Sequence, residues 1–98
     1  MDSEPHRAKK RVLVLARREH AEAMRVAAGL TILGHAVRIV FMDRPVAESP
    51  ENASGAELLE LSGVEAKTTV AEMAAELPYL DAAALGAALG DADAVLSV

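Results

Sequence analysis

Two arginines and a histidine stand close together in the segment RREH, which begins at Arg17. The segment follows the apolar run RVLVLA and precedes a helical pattern, so these side chains are predicted to lie at a helix N-terminus. Guanidinium and imidazole groups beside free backbone N–H groups are suited to binding a small anion, and His20 would be the acid–base group of an enzyme there. A solvated surface turn uses the same residue types, so both interpretations stay open.

Two more polar pairs follow later strands of the predicted fold. Asp43 and Arg44 follow the run VRIVFM, and Thr68 and Thr69 follow GVEAK. Parallel strands present their carboxyl ends at one edge of the sheet, where ligands bind in open α/β folds, so the clusters are expected to share one site. Its predicted ligand-binding residues are Arg17, Arg18, His20, Asp43, Arg44, Thr68 and Thr69.

The first half of the chain has the pattern of a βαβ unit. Strands are predicted over residues 11–16 and 37–42, with a helix over 19–33 between them. Gly34 is expected to end that helix in the left-handed conformation. Such a unit needs a parallel strand pair and a right-handed crossover. Three- and four-residue spacing predicts one buried stripe on the helix, formed by Ala23, Val26, Ala27, Leu30 and Leu33.

The second half continues the alternation of strands and helices. Residues 43–53 are predicted to form an exposed loop, either a lid or a subunit contact. Capping boxes at Ser54/Glu57 and Thr69/Glu72 predict one helix from 54 to Gly63 and another that Pro78 ends. Strands are predicted over 64–68 and 94–98, and Asp81 is expected to cap a helix over 82–89.

Together these elements predict a small three-layer α/β sandwich with a mostly parallel sheet. Residues 11–98 are expected to form this single domain, and residues 1–10 a disordered tail. Only two of the 98 residues are aromatic, although 52% are hydrophobic, so the core must be aliphatic and thin. A thin core favours further burial through association of copies.

The charge distribution is uneven and excludes several classes of function. The net charge is −5, with +4 on residues 1–45 and −9 on residues 46–98. An acidic balance without aromatic stacking residues argues against nucleic-acid binding. No apolar run is long enough to cross a membrane, and the N-terminus lacks a signal-peptide pattern, so a cytoplasmic protein is expected. Opposite charges on the two halves suit either a solvated surface or contacts between copies.

Several kinds of cofactor site are absent from the sequence. The chain has no cysteine, and its three histidines have no metal-ligand spacing, so no metal site is expected. No Gly-rich loop follows the first strand, which excludes a dinucleotide fingerprint and a P-loop. No cofactor is therefore predicted.

The order of elements resembles the DsrE/DsrF-like sulfur-relay family. The resemblance rests on RVLVLA, a helix ending in LGHAV, RIVFMD, LLELSGVEAKTTVAEMA and GDADAVLSV, and it covers residues 11–98. It implies a flavodoxin-like fold and assembly into trimers or hexamers. LGHAV alone is also similar to N-terminal domains of some glycosyltransferases. Members that relay sulfur carry a cysteine after the third strand, and here that position is Thr69.

Three functions follow as hypotheses. A threonine hydroxyl cannot accept and pass on sulfane sulfur, so the resemblance favours a non-catalytic protein that binds a partner or a small ligand. The alternative is an anion-binding or acid–base site that uses Arg17, Arg18, His20 and Arg44. The third hypothesis is a structural subunit of a homo-oligomer. No catalytic residue is predicted under the first hypothesis, and enzymatic activity is left undecided.

Overall fold

The computed structural model describes residues 9–98, in which four strands alternate with helices. The predicted tail lies, apart from Lys9 and Lys10, outside the described residues. The strands are β1 (Arg11–Ala16), β2 (Ala36–Phe41), β3 (Glu65–Thr68) and β4 (Ala94–Ser97). The helices are α1 (His20–Ile32), α2 (Pro50–Ser62) and α3 (Ala82–Asp91), and a 3₁₀ helix spans Ala71–Met73.

All four strands are parallel, in the order β3-β2-β1-β4. Helices α1 and α2 pack on one face of the sheet and α3 packs on the other. This confirms the predicted three-layer α/β architecture with a flavodoxin-like sheet. The central strands β1 and β2 are aliphatic because both of their faces are buried. The connection to β4 changes faces, so the carboxyl ends of β1 and β4 flank the point where open α/β sheets bind ligands.

The two faces of the sheet have cores of unequal size. Under α3, only Leu13, Val40 and Ala88 are buried together. The face under α1 and α2 holds a much larger cluster of small and aliphatic side chains. It includes Val12, Val14, Ala23, Met24, Ala27, Ile39, Phe41 and Leu59.

Helix α1 confirms the predicted stripe in part, since Ala23 and Ala27 are fully buried and Leu30 packs against the core. Leu33 is 74% exposed, and the residues buried against the sheet are Ala23, Met24, Ala27 and Ala28, besides His20. Small side chains occupy the contact face because they let the helix axis approach the sheet closely. Gly34 does end the helix, with φ +98°, as predicted.

Helix α2 begins at Pro50, so the prediction that it starts after Ser54 is wrong. The Ser49 hydroxyl accepts a hydrogen bond from the Asn52 N–H at 3.1 Å and caps the helix. Proline suits the first helical position because its φ is already helical and no N–H is lost there. Ser54 lies inside the helix and is exposed. The predicted loop over 43–53 therefore ends at Ser49.

The predicted helix after Thr69 is wrong as well. Only the 3₁₀ helix forms, and Thr69 does not cap it. The chain instead folds back against the end of β3. The Thr68 N–H donates to the Pro78 carbonyl at 3.0 Å, and the Leu80 N–H donates to the Thr68 carbonyl at 2.8 Å. Nine residues lie between Thr68 and Pro78, and only Ala71–Met73 among them form a helical turn.

Helix α3 confirms the predicted cap, because the Asp81 carboxylate accepts a hydrogen bond from the Ala84 N–H at 2.8 Å. The helix continues through Gly90 to Asp91, two residues beyond the predicted end. None of the helices in residues 9–98 combines the length and the apolar character that a membrane span requires.

Candidate functional site

Arg44 ties together the loops that follow β1 and β2. Its guanidinium donates hydrogen bonds to the carbonyl oxygens of Arg17, at 3.2 Å, and Arg18. The Arg17 Nε lies 3.5 Å from Asp43 Oδ2 and completes the cluster. The structure thus brings four of the predicted site residues together. Two of the three guanidinium groups, those of Arg17 and Arg44, are therefore engaged within the cluster.

Asp43 holds a strained backbone conformation at the end of β2. Its φ is +76°, and the Arg44 N–H donates to the Met42 carbonyl at 2.9 Å, which makes a γ-turn with a left-handed centre. This conformation costs about 1–3 kcal/mol for a residue with a side chain, and it persists where neighbouring contacts enforce it. Here the contacts of Arg44 with the β1 loop enforce it.

His20 is buried at the first turn of α1, with 4% of its surface exposed. Its ring packs edge-on against Phe41, with centroids 5.6 Å apart, and its Nε2 lies 3.4 Å from the Met42 carbonyl oxygen. Burial lowers the pKa of His20 below its usual 6.5, and the positive charge of Arg44 lowers it further. The Met42 carbonyl and Asp43 oppose this shift. His20 is therefore neutral at pH 7 and shielded from solvent.

The two threonines at the end of β3 form hydrogen bonds through different groups. The Thr68 hydroxyl is fully buried, donates to the Phe41 carbonyl at 3.0 Å and accepts from the Val70 N–H at 2.9 Å. Thr69 contacts the same Phe41 carbonyl through its backbone N–H, at 3.1 Å. Thr68, rather than Thr69, is the residue that satisfies the backbone of the following turn.

A small polar pocket of about 220 Å³ lies between the first turns of α1 and α2. Arg18 and Arg44 line it, and no side chain caps the N-terminus of α1. Among residues 9–98, the Arg18 guanidinium makes no hydrogen bond or ion pair that would compete with a ligand. The remaining lining residues are Glu19, His20, Ala21, Ala47, Ser49, Glu51 and Asn52.

The seven predicted site residues are therefore divided between two places. Arg18, His20 and Arg44 line the pocket between the helices, and the Arg17–Asp43 pair lies on the loops beside it. Thr68 and Thr69 lie at the neighbouring end of β3. Sequence reasoning missed the contribution of Ser49 and Asn52, because residues 43–53 were assigned to a loop. The Ser49-Pro50 pair, a helix cap followed by its first residue, was the available signal.

The described part of the chain holds no group of three or more His, Asp or Glu side chains arranged for a metal ion. His35 lies at the opposite end of the sheet, where its Nδ1 accepts a hydrogen bond from the Lys10 N–H at 3.2 Å. No family model, curated protein or solved structure matches this chain.

Proposed function

We propose that this chain is a non-catalytic, DsrE-like binding domain that holds a small ligand or a partner at the carboxyl edge of its sheet. The observation that supports the proposal is that polar side chains at this edge form hydrogen bonds and ion pairs with the protein itself. Arg17 and Arg44 contact the site's own loops, and the Thr68 hydroxyl has both a donor and an acceptor partner. Among residues 9–98, no hydrogen bond joins His20 to a hydroxyl group that it could activate.

The absence of sulfur transfer is tested directly with a persulfide donor. Because the chain has no cysteine, the purified protein is expected to take up no sulfane sulfur and to show no mass increase after incubation. The Thr69→Cys variant is expected to gain a sulfur adduct at position 69. A covalent sulfur adduct on the native chain, or catalysed transfer to an acceptor thiol, would contradict the proposal.

A small oxyanion is the ligand class that the pocket between α1 and α2 favours. Two arginines and the uncapped N-terminus of α1 supply positive charge and N–H donors in one place. Glu19 and Glu51 at the same pocket limit its net charge, which favours a small anion over a large polyanion. This is the second candidate function, and it requires no catalysis.

Calorimetric titration with sulfate, phosphate and thiosulfate tests anion binding. Replacing Arg18 by Ala is expected to weaken binding about tenfold, since a charge-assisted hydrogen bond contributes about 1.5 kcal/mol or more. Arg11→Ala is the matched control, because Arg11 pairs with Asp91 at 2.9 Å at the opposite end of the sheet. Equal effects of the two substitutions, or no binding by any of the anions, would exclude this ligand class.

Self-association is a third proposal, supported by the edge strand β4. Val95 and Leu96 are 43% and 39% exposed, on opposite faces of the strand. An uncovered apolar edge strand favours pairing with another strand, and a second copy supplies one. Sedimentation analysis is expected to show association that Leu96→Lys abolishes and that Leu61→Lys, a substitution on an exposed face of α2, leaves intact. A native chain that is monomeric at high micromolar concentration would refute assembly.

A further inference from the structure

A groove runs between α2 and the segment that follows β3, on the sheet face covered by α1 and α2. Its volume is about 740 Å³, and its lining is mostly apolar. Phe41 and Leu59 form part of its floor, and Met24 and Met73 contribute flexible thioether side chains. Methionine adapts its shape to different apolar partners at low cost.

Carboxylates stand on both sides of this groove, which we name the acidic groove. Glu57 and Glu60 line it from α2, and Glu76 lines it from the opposite wall. No Arg or Lys is among its lining residues. Lys67, the single basic residue of the chain after Arg44, faces the other side of the sheet and pairs with Glu65 at 3.3 Å. The rim charges are therefore uncompensated by a basic side chain lining the groove.

From this juxtaposition we propose that the acidic groove binds a basic amphipathic helix of a partner protein. The apolar floor matches the apolar face of such a helix, and the rims match Lys or Arg at its margins. Glu57 and Glu60 are three residues apart on α2, so they lie one turn apart on one face. Basic residues repeated at three- or four-residue spacing on the partner helix would lie opposite these two carboxylates. The proposal is independent of the oxyanion pocket, which lies at the helix N-termini.

Binding is measured with a fluorescein-labelled Leu–Lys amphipathic helix of about 15 residues, by anisotropy. A Leu–Glu peptide with the same apolar face is expected to bind at least about tenfold more weakly, because like charges meet at the rims. The E57Q/E60Q variant is expected to weaken binding of the Leu–Lys peptide about fivefold, and added salt is expected to weaken it further. E22Q/E48Q, which removes the same charge outside the acidic groove, is expected to change affinity less than about twofold.

The position of the peptide is measured from the methionine methyl signals in NMR. Met24 and Met73 line the acidic groove, whereas Met42 packs with the cluster on the opposite face under α3. The Met24 and Met73 signals are expected to shift on titration, and the Met42 signal is expected to stay in place. Equal effects of the two double variants, shifts confined to Met42, or no binding would each overturn the proposal. A homodimer that buries the acidic groove and does not dissociate when the peptide is added would also overturn the proposal.

Discussion

Thr68 and Thr69 are adjacent in the chain, but they make different hydrogen bonds. The Thr68 hydroxyl lies in the core and bonds two backbone groups from different elements, the Phe41 carbonyl and the Val70 N–H. Thr69 is only partly buried, and the contact it makes with β2 uses its backbone N–H. A substitution at position 68 thus removes a link between β2 and the turn after β3, whereas one at 69 preserves it.

Replacing Thr68 by Val is expected to lower the free energy of unfolding by about 2 kcal/mol, because the buried Val70 N–H loses its acceptor. Thr69→Val is the matched control and is expected to change stability by less than about 0.5 kcal/mol. Urea denaturation of the two variants measures the difference. Equal losses would show that the Thr68 hydroxyl does not hold the turn.

His20 is expected to make stability depend on pH just below neutrality. Its pKa in the folded chain is lowered from 6.5 by burial, so the unfolded chain binds the proton more readily. The free energy of unfolding should therefore fall as pH drops through 6.5 toward the lower folded pKa, and rise again as pH increases.

Denaturation measured between about pH 5 and 7.5 tests this expectation. His20→Gln is expected to flatten the dependence, whereas His35→Gln at the far end of the sheet is expected to retain it. The pKa of Asp93 is also lowered, chiefly because its carboxylate accepts a hydrogen bond from the Arg11 backbone N–H. This carboxylate affects the pH dependence of stability only near and below pH 3.8. The two effects are thus separated in pH, and an unchanged slope in His20→Gln would disprove the assignment.

Among the helices, α2 shows how a cap decides where an element begins. Ser49 and Ser54 each precede a helical stretch, but only the Ser49 hydroxyl accepts a backbone N–H. The cap at Ser49 adds a turn that brings Ser49 and Asn52 to the pocket between α1 and α2. The same turn extends the wall of the acidic groove to Ala53.

Ser49→Ala is expected to lower the free energy of unfolding by about 1 kcal/mol, since an N-cap hydrogen bond is lost. Ser54→Ala is expected to be neutral within about 0.5 kcal/mol, because alanine suits an exposed position inside a helix. Thermal and urea denaturation of the pair distinguish the two starts. A larger loss in Ser54→Ala would contradict the observed cap.

Over the whole molecule, stability rests on two cores of unequal size. The core under α3 is small, and Leu13 is its fully buried centre. The acidic groove opens on the other face, where α2 and the segment after β3 leave apolar side chains partly uncovered. The face with the larger core is thus also the face with apolar surface left for a partner.

Leu13→Ala is expected to lower the free energy of unfolding by about 3 kcal/mol, because it truncates a fully buried side chain of the small α3-side core and leaves a cavity. That loss is a large fraction of the 5–15 kcal/mol typical of a domain, so the variant should unfold at distinctly lower urea concentration. Leu61→Ala is the control, since Leu61 is 80% exposed and its truncation should have little effect. Similar losses in both variants would contradict the role of the α3-side core.

The sequence by itself determined the alternation of the four strands with helices α1, α2 and α3, the βαβ unit at 11–42, the Gly34 helix end and the Asp81 cap. These depend on hydrophobic periodicity and on contacts between residues near one another in the chain, which local patterns record. It also identified the carboxyl edge as the place of the candidate site, because parallel connectivity places those strand ends together.

Only the tertiary structure decided that His20 is buried and which of the predicted site residues line one pocket. It also decided that no α-helix forms after Thr69. His20 is buried because Phe41, 21 positions away in the chain, packs against its ring. The helix predicted after Thr69 gives way to contacts of Pro78 and Leu80 with Thr68, which no local pattern contains. Contacts between residues distant in sequence outweigh local helix signals there. Such contacts also create the pocket between α1 and α2 and the acidic groove.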